Sequence, residues 1–179
     1  MSKSSTAFVI GMDLGDKTHE LCVLDGEGEI VRQDTISNNK KMILRYFDRF
    51  DTPERVIVAM ETGTHSPWIS ELLQVNGFQI LVANSRKLRM IWNSNNKNDV
   101  RDAEMLARIA RFDPKLLCPI THRSEEARSD LALIKARHAL VRNRANLINF
   151  VRGLFKSLGM RVPQSSPDAF SARVRTLPV

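Results

Sequence analysis

The chain has 179 residues, 42% of them apolar, enough for one well-buried domain and an appendage, which excludes a wholly disordered protein. Its net charge of +7 is uneven, because residues 1–119 hold 16 Lys/Arg and 16 Asp/Glu whereas residues 120–179 hold 11 and 4. No stretch approaches the roughly 18 apolar residues of a membrane span, and Met1 to Ile10 has too short an apolar run for a signal peptide, so a cytoplasmic location is expected.

Phe8 to Met12 is an apolar run ending at Asp13, and Leu21 to Leu24 follows after a polar gap; the two read as strands joined by a tight turn. Asp25-Gly26-Glu27-Gly28 is a turn signal, and Ile30 to Ile36 alternates well enough to complete a three-stranded antiparallel meander. Asn39 to Phe50 puts Met42, Ile43, Tyr46, Phe47 and Phe50 on one helical face. Val56 to Met60 is an unbroken apolar run ending at Glu61, which suits a strand buried on both faces. Trp68 to Val75 predicts a helix closed by Gly77, Ile80 to Ala83 a fifth strand, and Asp99 to Arg111 a helix with Ala103, Leu106, Ala107 and Ala110 on one side. Cys22 and Cys118 match no metal-ligand spacing and read as packing residues, kept reduced in a cytosol.

From Ser124 to about Leu158 there is no Pro and a single Gly, which predicts one long helix with a Ser124 cap and Glu125 and Glu126 in its first turn. Leu133, Leu140, Leu147 and Leu154 recur every seven residues beside a second stripe of Ile134, Val141 and Ile148, a coiled-coil-type pattern that implies more than one packing neighbour. Arg128, Lys135, Arg142 and Lys156 share a register on the side away from the leucines. Residues 121–161 hold nine Lys/Arg and three Asp/Glu, so most of these bases lack local acidic partners, and contact with a polyanion such as nucleic acid is expected. The expected organisation is a domain over 1–120, a basic helical segment over 121–160, and a loose Pro- and Ser-containing tail over 161–179 that reads as a linker.

The order β-β-β-α-β-α-β-α predicts an α/β fold with a ribonuclease-H-like mixed sheet, in which the first strand lies centrally beside the fourth. That arrangement brings Asp13 and Glu61, at the ends of those strands, close together. Asp99 and Asp102, at i and i+3, share one helical face. Four carboxylates in one place repel unless a hard cation sits among them. Oxygen ligands suit Mg²⁺ or Mn²⁺, and two such ions about 3.5–4 Å apart can activate a nucleophile and stabilise a leaving oxygen at a phosphodiester. Taken singly, each residue also has a bland explanation: Asp13-Leu14-Gly15 as a turn, Asp99 as a helix cap. Lys97 and Arg101 flank the acidic pair and either touch a phosphate or balance local charge, and His65 either assists proton transfer or begins a helix.

Ile10-Gly11-Met12-Asp13-Leu14-Gly15, Met60-Glu61-Thr62-Gly63 and Lys97-Asn98-Asp99-Val100-Arg101-Asp102-Ala103-Glu104 resemble the three blocks of the DEDD transposases of bacterial insertion sequences, a group that includes the Piv-type DNA invertases. The most specific is the third, with Leu106-Ala107 following it, and the resemblance spans roughly residues 7–160. It implies a RuvC-like N-terminal domain, Mg²⁺ at Asp13, Glu61, Asp99 and Asp102, a coiled-coil segment and, as in characterised relatives, a guiding bridge RNA; DNA is the expected partner in the bacterial nucleoid, and the leucine register of the long helix leads to the expectation of a homodimer or higher oligomer. Family members continue into a domain bearing a nucleophilic serine. Ser165 and Ser166 do not resemble that nucleophile, so a fragment unable to complete recombination alone is the expectation. The competing reading is a non-catalytic nucleic-acid-binding or dimerisation module left by a truncated transposase. Further alternatives are a RuvC-like nuclease and an actin-like ATPase, the latter because Gly11 to Thr18 also resembles a phosphate loop.

Overall fold

The computed structural model of the protein describes residues 7–91 and 98–177, in two compact units, Met1–His122 and Arg123–Val179. In the first, β1 (Phe8–Leu14), β2 (Thr18–Leu24) and β3 (Ile30–Ser37) form the antiparallel meander; β4 (Val56–Glu61) runs parallel to β1, and β5 (Gln79–Ala83) parallel to β4. The resulting order, β3-β2-β1-β4-β5, is the ribonuclease-H-like arrangement with β1 central and β4 its neighbour.

Strand alternation divides the core between two faces. Ile10, Met12, Leu21, Val23, Val58 and Met60 meet Ile43 and Phe47 of α1 (Lys40–Phe47) and Ile69 and Leu73 of α2 (Ser66–Val75). On the other face Val9, Cys22, Leu24, Ala59 and Ala83 pack with Ala103, Leu106, Ala107 and Ala110, the apolar side of the helix Asp99–Phe112. Burial pushes the Cys22 thiol up, as suits a packing residue. Gly77 adopts φ 89°, and the Phe78 amide reaches back to the Leu73 carbonyl at 3.1 Å, so α2 ends in the left-handed turn that glycine supplies.

Three local expectations are corrected. The helix over Asn39–Phe50 stops at Phe47, although the Phe50 ring still joins the core with its centroid 5.6 Å from that of Phe8. Met42 lies off the buried face, 38% exposed. A short helix, α3 (Ser85–Ile91), precedes α4 (Asp99–Phe112); with seven residues it has too few turns to display a period, and Asn84 begins it by accepting from the Arg86 and Lys87 amides.

In the second unit α5 (Glu125–Ser157) runs 33 residues, roughly 50 Å at 1.5 Å per residue. Ser124 caps it, accepting from the Ala127 amide at 3.3 Å. None of its residues is buried, and Leu133, Leu140 and Leu147 are 69%, 71% and 65% exposed. The segment expected as a loose tail contains α6 (Phe170–Arg175). Phe170 is buried, the Arg152 guanidinium lies 5.5 Å from its ring centroid, and Arg144 pairs with Asp168 at 3.3 Å. One aromatic anchor and one ion pair order this turn, and six residues leave no periodic trace in the sequence.

His19 is fully buried, and the Asn38 side chain is the hydrogen-bonding group beside it. Burial holds its pKa below the ordinary 6.5. The unfolded chain therefore takes up a proton near 6.5 while the folded chain waits for lower pH, so the stability is complete above about 6.5 and is lost as pH falls towards the lowered folded value. Denaturant melts of the wild type are expected to lose up to about 1.4 kcal/mol per pH unit in that window through this residue. His19→Leu should flatten the dependence.

Candidate metal centre

Val9, Gly11 and Asp13 of β1 alternate onto the α4 side of the sheet, where Val9 packs. A Cβ placed on Gly11 would lie 1.8 Å from the Ala103 carbonyl oxygen and 2.6 Å from the Ala107 amide nitrogen, so the helix backbone rests directly on the strand. This close crossing, made possible by glycine opposite alanine, brings the first turn of α4 to the end of β1. The cap of α4 is Asn98, whose side chain accepts from the Val100 amide at 3.1 Å. Asp99 is thereby left for other work.

Carboxylate oxygens of Asp13, Asp99 and Asp102 lie within 4.8 Å of one another; Asp13 and Asp102 are half-buried and Asp99 is exposed. Three anionic oxygens so placed repel one another and the two half-buried ones lose part of their hydration, and a divalent cation would offset both costs. A donor set made only of carboxylates fits a hard ion such as Mg²⁺ or Mn²⁺. Glu61, the last residue of β4, stands one position beyond the Met12–Met60 pair and two beyond the buried Ala59 of the α4 face. It is half-buried and does not enter the group of three.

The other residues singled out in the sequence are dispersed. Lys97 lies outside the described residues. Arg101 lines a shallow pocket with Glu104, Met105, Arg108 and Ile109, a different face of α4 from Asp99 and Asp102. On α5, Lys135, Arg142 and Lys156 are exposed, whereas Arg128 is half-buried and donates to the Arg123 carbonyl at 2.8 Å. His65 stands at the entry to α2, its Nδ1 accepting from Trp68 Nε1 at 3.3 Å and its Nε2 3.2 Å from Asp16 Oδ1.

One residue escaped notice in the sequence. Glu20 of β2 is paired directly with Asp13 across the antiparallel ladder and lines a cleft with Thr35, Asn98, Asp99 and Val100. The signal available was the hairpin itself: once Leu14 pairs with His19, position 20 must face position 13.

A comparison with curated proteins found no match. Among solved structures, T. thermophilus RuvC in complex with a Holliday junction substrate is similar at 12% identity and a TM-score of 0.43, covering 60% of this chain and 97% of that one. A second Thermus thermophilus RuvC structure gives 15% identity and a TM-score of 0.37, over 59% and 96%. The model of the IS110-type DEDD transposase family, described as a transposase, matches residues 10–160 and so takes in most of β1 and all of β4, α4 and α5. The three sequence blocks, the strand order and the Asp13–Asp99–Asp102 cluster agree with that match, and the chain belongs to the IS110-type DEDD transposase family.

Proposed function

We propose that this chain performs divalent-metal-dependent phosphodiester chemistry on DNA, the cleavage and rejoining of strands, as the metal-binding part of a transposase. The observation that carries this reading is the convergence of Asp13, Asp99 and Asp102 from two separate elements in a member of that family. Asp13 from β1 and Asp99 and Asp102 from α4 would hold Mg²⁺ or Mn²⁺, with Glu61 supplying a fourth carboxylate from the neighbouring strand. When bound, the cation supplies Lewis-acid polarisation of a phosphodiester oxygen and lowers the pKa of the attacking group. Asp13 and Asp102, half-buried against a close-packed helix and strand, provide the rigid part of the shell, and exposed Asp99 borders the side open to substrate. Titration calorimetry with Mn²⁺ on the wild type and Asp13→Ala tests the reading.

Lys97 and Arg101 beside the acidic pair, and Arg128, Lys135, Arg142 and Lys156 along α5, are the proposed contacts to DNA or a guide RNA. For two phosphate contacts, Lys135→Ala with Arg142→Ala should reduce the slope of log affinity against log salt by roughly 2 for duplex DNA, at about 0.9 per contact. Fluorescence anisotropy at several KCl concentrations measures it; an unchanged slope would assign these bases to a solvated face. The exposed Leu133, Leu140 and Leu147 support assembly through α5 into a homodimer or higher oligomer. No helix among the described residues is long and apolar enough to cross a membrane, and we place the protein with DNA in the bacterial cytoplasm.

The same exposed leucines favour a second reading, a binding and dimerisation module without catalysis. It requires salt-sensitive nucleic-acid binding and every measurable activity to survive Asp99→Ala combined with Asp102→Ala.

A further inference from the structure

We propose that Glu20 is a further carboxylate of the metal centre, reaching the outer oxygen shell of the divalent cation from β2. This rests on the proposed metal-binding role of Asp13, Asp99 and Asp102. Asp13 and Glu20 are direct partners in the β1–β2 ladder, and partners in an antiparallel pair project to the same face. That face is the one on which α4 packs, since Val9 and Cys22, each an even number of residues away along the same strands, are buried against Ala103 and Ala107. Glu20 and Asp99 then border one cleft at the start of α4. The position of Glu20 follows from strand register, with no dependence on a loop.

Like charges directly opposite one another in an antiparallel pair are destabilising. Asp13 and Glu20 are such a pair, and two further carboxylates of α4 stand close to the first. The Thr35 hydroxyl donates to Glu20 Oε2 at 2.7 Å, which restrains the carboxylate but adds no positive charge. Thr35 holds the Glu20 side chain in place from β3, and a divalent cation held by Asp13, Asp99 and Asp102 would be attracted by its charge. Partners in a metal's outer shell typically contribute 10- to 100-fold to its affinity. Glu20 is therefore a positioning residue, acting through the cation's shell while Asp13, Asp99 and Asp102 ligate.

The test is Mn²⁺ titration calorimetry on the full chain, wild type, Glu20→Gln, Thr35→Val and Asp13→Ala, with thermal melts in EDTA. Glu20→Gln keeps the shape and an acceptor for Thr35 while removing the charge. It is expected to bind Mn²⁺ about 10-fold more weakly with unchanged stoichiometry, and to melt in EDTA no lower than the wild type, a combination that a merely structural role would not produce. Thr35→Val, which keeps the charge and frees the side chain, should weaken binding in the same direction by a smaller factor. Wild-type affinity in Glu20→Gln overturns the proposal, and so does wild-type affinity in Thr35→Val should Glu20→Gln fail to fold. If Asp13→Ala loses Mn²⁺ while Glu20→Gln retains full affinity, the centre stands and Glu20 is excluded from it. If Asp13→Ala binds as the wild type does, or the wild type binds no Mn²⁺, the metal-centre reading itself fails and takes this one with it.

Discussion

Gly11→Ala is expected to destabilise the first unit by about 3 kcal/mol or more, at the upper end of what overpacked cores show, and to lower its melting temperature by roughly 10 °C. The added methyl would sit 1.8 Å from the Ala103 carbonyl oxygen and 2.6 Å from the Ala107 amide nitrogen. Both are backbone atoms in the middle of α4, so no side-chain rotation relieves the clash and the helix must move off the sheet. Because that same contact delivers Asp99 and Asp102 to Asp13, Mn²⁺ affinity should fall together with stability although position 11 carries no ligand. Gly63→Ala is the control: nothing lies within 4 Å of a Cβ there, and both quantities should stay near the wild type. Calorimetric melts with Mn²⁺ titration measure the pair. A Gly11→Ala protein of undiminished stability would mean that the crossing of β1 and α4 is looser than described.

Asp13→Ala is expected to abolish divalent-cation binding and to slow metal-dependent strand cleavage by at least 10²–10³-fold, on the order of the loss when one preorganised electrostatic group is removed from a reacting centre. Asp13 is the member of the cluster contributed by the sheet, so its removal leaves Asp99 and Asp102 on a single helix turn without a rigid counterpart. In thermal melts the wild type should gain about 2.7 kcal/mol at a Mn²⁺ concentration 100 times the dissociation constant, and Asp13→Ala should gain nothing. Cleavage of a labelled DNA substrate with Mg²⁺ and with EDTA provides the activity arm. Equal Mn²⁺-induced stabilisation in the two proteins would dismiss the site.

Much of this architecture is legible one element at a time. The alternation in Phe8–Leu14, the continuous run Val56–Met60, the alanine-rich side of Asp99–Arg111 and the long uninterrupted stretch after Ser124 each report the environment of a single strand or helix, because burial of one face imposes its period directly on the residues. The three blocks around Asp13, Glu61 and Asp99–Asp102 were readable for the same reason, being contiguous. Short elements were less visible: α3 and α6 have too few turns for a period, and each depends on a contact with residues far along the chain or on a single anchor such as Phe170.

The sequence by itself determined the five strands, the longer helices, their order and the acidic residues that stand at their ends, since local periodicity and composition are properties of neighbouring residues. The tertiary structure alone decided the assembly of the centre. The cap on α4 proved to be Asn98, freeing Asp99; Gly11 let the helix backbone rest on β1; and the hairpin ladder placed Glu20 across from Asp13. Glu61 shares the face and the strand end but, like Glu20, lies outside the 4.8 Å group. The Asn98 cap and the Asp13–Glu20 pairing are local contacts, readable once the helix start and the hairpin register are known, whereas the seating of α4 on Gly11 depends on how closely two elements approach, a distance set by packing between residues tens of positions apart, which no local period encodes.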